Sequence, residues 1–233
     1  MKVVAWVFRH TVKPVHLSAR QAVSKAIDRR LGIVTTDEVV ADALGAEIGP
    51  FRRTQRALGW TGAFRLVPRL GLGRDDVILD VGCGAGRVAC VAARFPISRV
   101  LGIDLDPRMV ALARTNAARV RGRRCPIEIV EADATRFEVP DDVTCVILYN
   151  SFGGQALETA LRLLLDSMDR RERRMRLVYG NPKEHHLVMG LGRFRPSGSL
   201  SLGWRPSREW ARTQRVQFYE VARASAPRPV AGR

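Results

Sequence analysis

The sequence predicts an α/β fold, in which a mostly parallel sheet carries helices on both faces and a helical extension precedes it. Three observations carry this. Apolar runs at Val77–Val81, Arg99–Ile103, Ile127–Val130, Thr144–Tyr149 and Met175–Tyr179 read as buried strands. Helical stretches at Gly86–Arg94, Pro107–Val120 and Gln155–Asp169 separate most of them. The first strand runs straight into a glycine-rich turn, and a helix follows that turn. Continuously apolar strands alternating with helices are what a parallel sheet covered on both sides requires.

Upstream of the first strand the pattern is helical. Ser18 is a candidate cap for a helix through Ala22, Val23, Ala26 and Ile27, whose spacing is close to 3.6. Asp37 is a candidate cap for a second, through Val39, Val40, Ala43 and Leu44, ended by Gly45. A third spans Phe51 to Leu70, and Gly71–Asp76 reads as a turn. Pro107 suits the first turn of its helix, with Asp106 as N-cap. Past the fifth strand a short helix at Glu184–Met189 is expected, then Gly- and Pro-rich segments, then an edge strand at Arg215–Val221. The division expected is a helical cap or lid over 1–73, a core over 74–222 and a disordered tail over 223–233.

The chain has 233 residues, of which 46% are hydrophobic and 27% charged, enough apolar material for a normal core. The run Val3–Phe8 is cut by Arg9 and His10, too short to cross a bilayer and without a cleavage site behind it. A cytoplasmic protein is expected. The formal charge of +16 comes almost wholly from arginine, which fits a compositional bias as well as an acidic partner. The densest basic run, Arg119 to Arg124, reads as a solvated turn after a helix. Cys83, Cys90, Cys125 and Cys145 fit no zinc spacing and form no CxxC pair, and the four histidines assemble no ligand set, so no metal is expected. Cys90 and Cys145 read as small core fillers.

The motif that carries most is Val77-Ile-Leu-Asp80-Val-Gly82-Cys83-Gly84-Ala-Gly86-Arg87. Glycines let the backbone turn sharply beside a ligand, and the helix start offers free N–H groups. Dinucleotide-binding loops place a third glycine where this chain has Arg87. The alternate glycines, with Asp80 two residues before the first, resemble motif I of the class I S-adenosylmethionine (SAM)-dependent methyltransferases. That resemblance implies a Rossmann-like, seven-stranded, mostly parallel sheet, with SAM as cofactor and S-adenosylhomocysteine (SAH) as product.

It also implies roles for particular residues. Asp80, Gly82, Cys83, Gly84 and Gly86 would hold the methionine part. Asp104 ends the second strand roughly 20 residues after the loop, where a carboxylate takes both ribose hydroxyls, and Leu105 adjoins it. Asp133 would receive the adenine amino group, with the Ala134 N–H beside the ring. Tyr149, Asn150 and Phe152 follow the fourth strand, where these enzymes face the transferred methyl; the alternative is that Phe152 is core and Asn150 a turn residue. Ser151 and Phe152 stand where DNA adenine methyltransferases carry two prolines, which argues against amino-adenine as acceptor. A looser likeness, through Asp28–Thr35, Trp60-Thr61-Gly62, Asn150–Gly153 and Val178–Pro182, is to bacterial methyltransferases distantly similar to the non-SET histone-lysine enzymes. It implies that Trp60, Thr61 and Gly62 contact SAM.

His185 and His186, beyond the fifth strand, are candidate general bases, or else simply an exposed pair on a helix. Trp6, Trp60, Trp204 and Trp210 are candidate aromatic walls. The function expected is methyl transfer to N or O of a small-molecule acceptor, as in secondary metabolism, with no membrane partner. Alternatives are a protein or RNA acceptor, a noncatalytic SAM-binding module, and an NAD-dependent oxidoreductase.

Overall fold

The structure is a computed structural model, and its described residues are 13–35, 58–202 and 215–223. Helix α1 spans Lys13–Leu31 and α2 spans Trp60–Leu66, the latter running into a 3₁₀ turn at Val67–Leu70. Strand β1 (Val77–Val81), α3 (Arg87–Ala92), β2 (Arg99–Asp104), α4 (Pro107–Arg119), β3 (Ile127–Glu131) and β4 (Cys145–Tyr149) follow. The chain continues through α5 (Gly154–Arg170), β5 (Arg176–Gly180), α6 (His185–Gly190), β6 (Phe194–Ser201) and β7 (Arg215–Val221).

All seven strands form one sheet in the order β3-β2-β1-β4-β5-β7-β6. The pairs from β3 to β5 are parallel, whereas β7 is antiparallel to both β5 and β6, so the sheet is mixed. Strand order reverses between β2 and β4 around β1, and a crevice opens at the carboxyl ends of strands on either side of such a switch point.

Successive strand residues face opposite sides of a sheet, and the two cores divide accordingly. Ile78, Val100, Cys145, Ile147 and Val178 face one core, shared with Leu31, Trp60 and Leu66 of α1 and α2 and with Val88 and Val91 of α3. Leu79, Leu101, Val146, Leu148 and Leu177 face the other, closed by Leu157, Leu161 and Leu164 of α5 and Val188 of α6. The expected core fillers Cys90 and Cys145 are fully buried in the first.

Three expectations are corrected. Helix α1 begins at Lys13, upstream of Ser18. The strand expected at the sheet edge, Arg215–Val221, lies between β5 and β6. The outermost strand is β6, in a segment read from sequence only as Gly- and Pro-rich; it holds Pro196 and Gly198, with a register shift between them. The helix expected after Asp37, the first part of the helix expected from Phe51, and Trp6, Trp204 and Trp210 lie outside the described residues.

Candidate cofactor and acceptor site

The glycine loop is pinned to the end of β2. The N–H groups of Gly82 and Cys83 both donate to the Ile103 carbonyl, at 2.8 and 2.9 Å. Gly82 has φ +71°, and a Cβ there would come within 2.8 Å of Ser151. Any other residue would therefore be both strained and crowded. Gly84 also has positive φ, but a Cβ there would meet nothing within 4 Å, so the loop crest borders open space. Cys83 turns its thiol under the loop towards Gly102, where a side chain would collide with it. Gly86 is the N-cap of α3.

Two carboxylates converge on this loop. Asp80 is 4% exposed, and its Oδ2 has no hydrogen-bond partner among the described residues. Burial, and then the neighbouring Asp104 charge, push its carboxyl up to about 7. Asp104 accepts from the Gly84 N–H through Oδ2 at 2.8 Å and from the Asp106 N–H through Oδ1 at 3.0 Å. Each carboxylate oxygen has a second lone pair for a ligand hydroxyl. Leu105 beside it is exposed, while Asp106 caps α4 as expected, accepting from the Arg108 N–H at 2.9 Å. Asp133 follows β3 and bonds the N–H and Oγ1 of Thr135, both at 2.8 Å, which hold its carboxyl below the usual range; Ala134 lies inside that turn.

On the acceptor side, β4 and β5 end in matching turns. Asn150 and Asn181 both have φ +53°, and Asn181 Nδ2 donates to Asn150 Oδ1 at 2.6 Å. Ser151 Oγ donates to the Val81 carbonyl at 2.6 Å and so rests on the cofactor loop. The Tyr149 ring lies across Gly180, where any Cβ would overlap it, and burial pushes its phenol up to about 12. Phe152 packs against the core beneath α5. Glu184, not singled out from the sequence, accepts from the Gly154 N–H at 2.6 Å and ties the β5–α6 connection to the start of α5.

His185 opens α6 with its ring stacked on Tyr219, and its Nδ1 lies 2.6 Å from the Tyr219 hydroxyl. His186 is exposed on the same turn. Trp60 is placed away from open solvent, at 3% exposure; its Nε1 donates to Asp28 Oδ1 at 2.9 Å. The Arg87 guanidinium lies over its ring and donates to the Thr35 hydroxyl, the Thr35 carbonyl and the Leu58 carbonyl. Thr61 is exposed one residue on. Asn116 extends the same latch, bonding both backbone groups of Val34 and the Ala85 carbonyl of the glycine loop. Neither Arg87 nor Asn116 was singled out as a latch from sequence. The cue was Arg87 itself, a charged residue at a position that becomes buried.

The sequence model of the family described as a methyltransferase domain matches residues 78–170, from β1 to the end of α5. Residues 78–170 form a methyltransferase domain. A ribosomal RNA small subunit methyltransferase A from Rhodococcus erythropolis is 34% identical over 87 residues, covering 36% of this chain and 29% of that protein. A ribosomal protein L11 methyltransferase from Thiobacillus denitrificans is 33% identical over 114 residues, covering 45% and 36%. The chain thus spans about a third of the length of these curated relatives. The solved N-methyltransferase NodS from Bradyrhizobium japonicum, in complex with SAH, superposes with a TM-score of 0.51 at 15% identity, covering 87% of this chain and 98% of that one. The cofactor of this methyltransferase domain is SAM, and the residues present fit it. The loop crest is open at Gly84, and Asp80 aims an unpartnered buried oxygen at the same end of β1.

Proposed function

We propose that the chain transfers a methyl group from SAM to a nitrogen or oxygen of an acceptor held at the ends of β4 and β5. One observation carries the reading: the buried Asp80 carboxyl, its Oδ2 without a hydrogen-bond partner among the described residues, beside a loop of alternate glycines, with Asp104 bonded to that loop. Asp80 would take the ammonium of the methionine part, Asp104 the ribose hydroxyls, and Asp133 with the Ala134 N–H the adenine. Bound SAM supplies a methyl made electrophilic by its sulfonium, so the protein's work is to align and to exclude water.

Asn150, fixed by Asn181, presents amide groups that orient an acceptor N–H or O–H. Tyr149, with its phenol kept protonated, can donate but not act as base near neutral pH. Where the acceptor needs deprotonation, His185 is the candidate base. In the tautomer whose Nδ1–H is donated to the Tyr219 hydroxyl, Nε2 keeps a lone pair for an acceptor proton.

A small molecule is the acceptor class of this reading. A second reading, an RNA acceptor, is favoured by a cluster of unpaired arginines remote from the loop. One relative's name carries RNA, another's a ribosomal protein. No helix among the described residues is long and apolar enough to cross a membrane. Calorimetric titration with SAH, using NAD as control, tests the cofactor reading. Micromolar SAH binding lost in Asp104→Ala is expected; binding of NAD alone would replace it with a redox function.

A further inference from the structure

The Arg119–Arg124 run, on sequence an isolated solvated turn, meets two other basic segments in space. The Arg121 N–H donates to the Leu31 carbonyl at the end of α1, at 2.8 Å. The Arg124 N–H donates to the Ala93 carbonyl just past α3, at 2.7 Å. The turn is thereby fixed between Arg30 on one side and Arg94 on the other, and all of Arg119, Arg121, Arg123 and Arg124 are exposed.

Many arginines elsewhere in the chain are engaged by carboxylates. Arg99, Arg162, Arg170, Arg174 and Arg193 each pair with a carboxylate. Among the described residues, no carboxylate pairs with Arg30, Arg94, Arg119, Arg121 or Arg124. A compositional bias would raise the number of arginines everywhere; it would not by itself bring exposed arginines without a carboxylate partner from three segments onto one surface.

Beside them lies a groove of about 490 Å³, floored by Ile27, Leu31 and Val91, walled by Phe64 and Phe95, and rimmed by Arg30 and Arg94. Phe64 is 41% exposed although it belongs to a helix whose other large apolar residues, Trp60 and Leu66, are buried. Guanidinium groups bind phosphates bidentately, and exposed aromatic rings stack on unpaired bases.

We propose that this groove and its arginine rim are a docking surface for single-stranded RNA, with phosphates on the arginines and a base against Phe64. The RNA contact stands apart from the methyl-transfer reading. An acidic protein segment would satisfy the arginines but leave the aromatic groove without a stacking partner.

The test is an anisotropy titration of the full chain with a labelled, unstructured RNA of about 20 nucleotides. If about five phosphates are neutralised, affinity should fall roughly a hundredfold between 50 and 200 mM salt. The triple reversal R94E/R121E/R124E should weaken RNA binding at least tenfold, with SAH affinity and melting temperature unchanged. F64A should weaken it severalfold while leaving the salt slope intact. The control R162E/R171E/R174E, with the same net charge, should retain binding. Absence of binding, equal loss in the control, or equally tight binding of polyglutamate or of anionic vesicles would each overturn the proposal. Retained SAH binding in that event would leave the methyltransferase reading standing.

Discussion

Asn181 and Asn150 lock the ends of β5 and β4 together: Asn181 Nδ2 donates to Asn150 Oδ1 at 2.6 Å, each residue holding a left-handed backbone at φ +53°. The backbone and the side-chain bond can be separated by mutation. Glycine keeps positive φ without strain, so N181G should hold SAH affinity within about twofold and melt within a few degrees of the parent. Methyl transfer from labelled SAM into an acceptor extract should nevertheless fall about 10–100-fold, the effect of a misaligned near-attack geometry. Unchanged transfer would remove the amide pair from the acceptor site.

Asp80 makes cofactor affinity depend on pH. Its carboxyl is raised to about 7, so it is largely neutral below that pH and loses its attraction for a ligand ammonium. SAH affinity should therefore drop as pH falls from about 8 to 6, and D80N should bind more weakly with a flattened profile. The stability sign is opposite. A raised carboxyl binds its proton more tightly folded than unfolded, so ligand-free stability falls as pH rises from the ordinary value of 3.8 towards 7. Above neutral pH, ligand-free D80N should melt higher than the parent, as calorimetric scans across that range would show.

Arg87 is 7% exposed and serves three acceptors besides covering Trp60. Replacing it by Met leaves buried carbonyls unpaired and should cost about 3 kcal/mol. For a chain of this size that is a fall in melting temperature of about 10 °C. Lysine, which cannot reproduce the fork, should recover only a part. A shift below about 2 °C for R87M would mean that the latch to Thr35 and Leu58 contributes little.

Tyr219→Phe keeps the ring stacked under His185 but removes the hydroxyl 2.6 Å from Nδ1. If His185 is the base, this change should displace the pH–rate profile of methyl transfer, and H185A should lower the rate about 10²-fold. A profile unmoved in Y219F, together with full activity in H185A, would make the pair a packing contact of α6.

Much of the fold was legible because it rests on local signals. β1 lies over the residues its apolar run marked, and Asp106-Pro107 opened α4 as a cap followed by proline. What escaped reading depends on tertiary context. β6 alternates poorly because its middle is exposed, and Pro196 and Gly198 disguise it as a loop. β7 alternates like an edge strand only because β6 could not be seen beside it. In the site, the glycines and carboxylates declared themselves through spacing. Asn181, Glu184 and the Arg87–Thr35 latch did not, since their partners lie about 30 residues or more away in sequence and follow only from the packing.

Ser151 sits on Gly82 with its hydroxyl on the Val81 carbonyl, so the first turn after β4 leans on the turn after β1. Two halves of a reaction that could have been separate pockets therefore share a wall one residue thick. Whatever shifts the glycine loop also shifts the height of Asn150. For methyl transfer at this site the expected consequence is an ordered reaction, in which SAH competes against SAM but not against the acceptor; product-inhibition kinetics showing random order would mean that the shared wall does not couple the two sites.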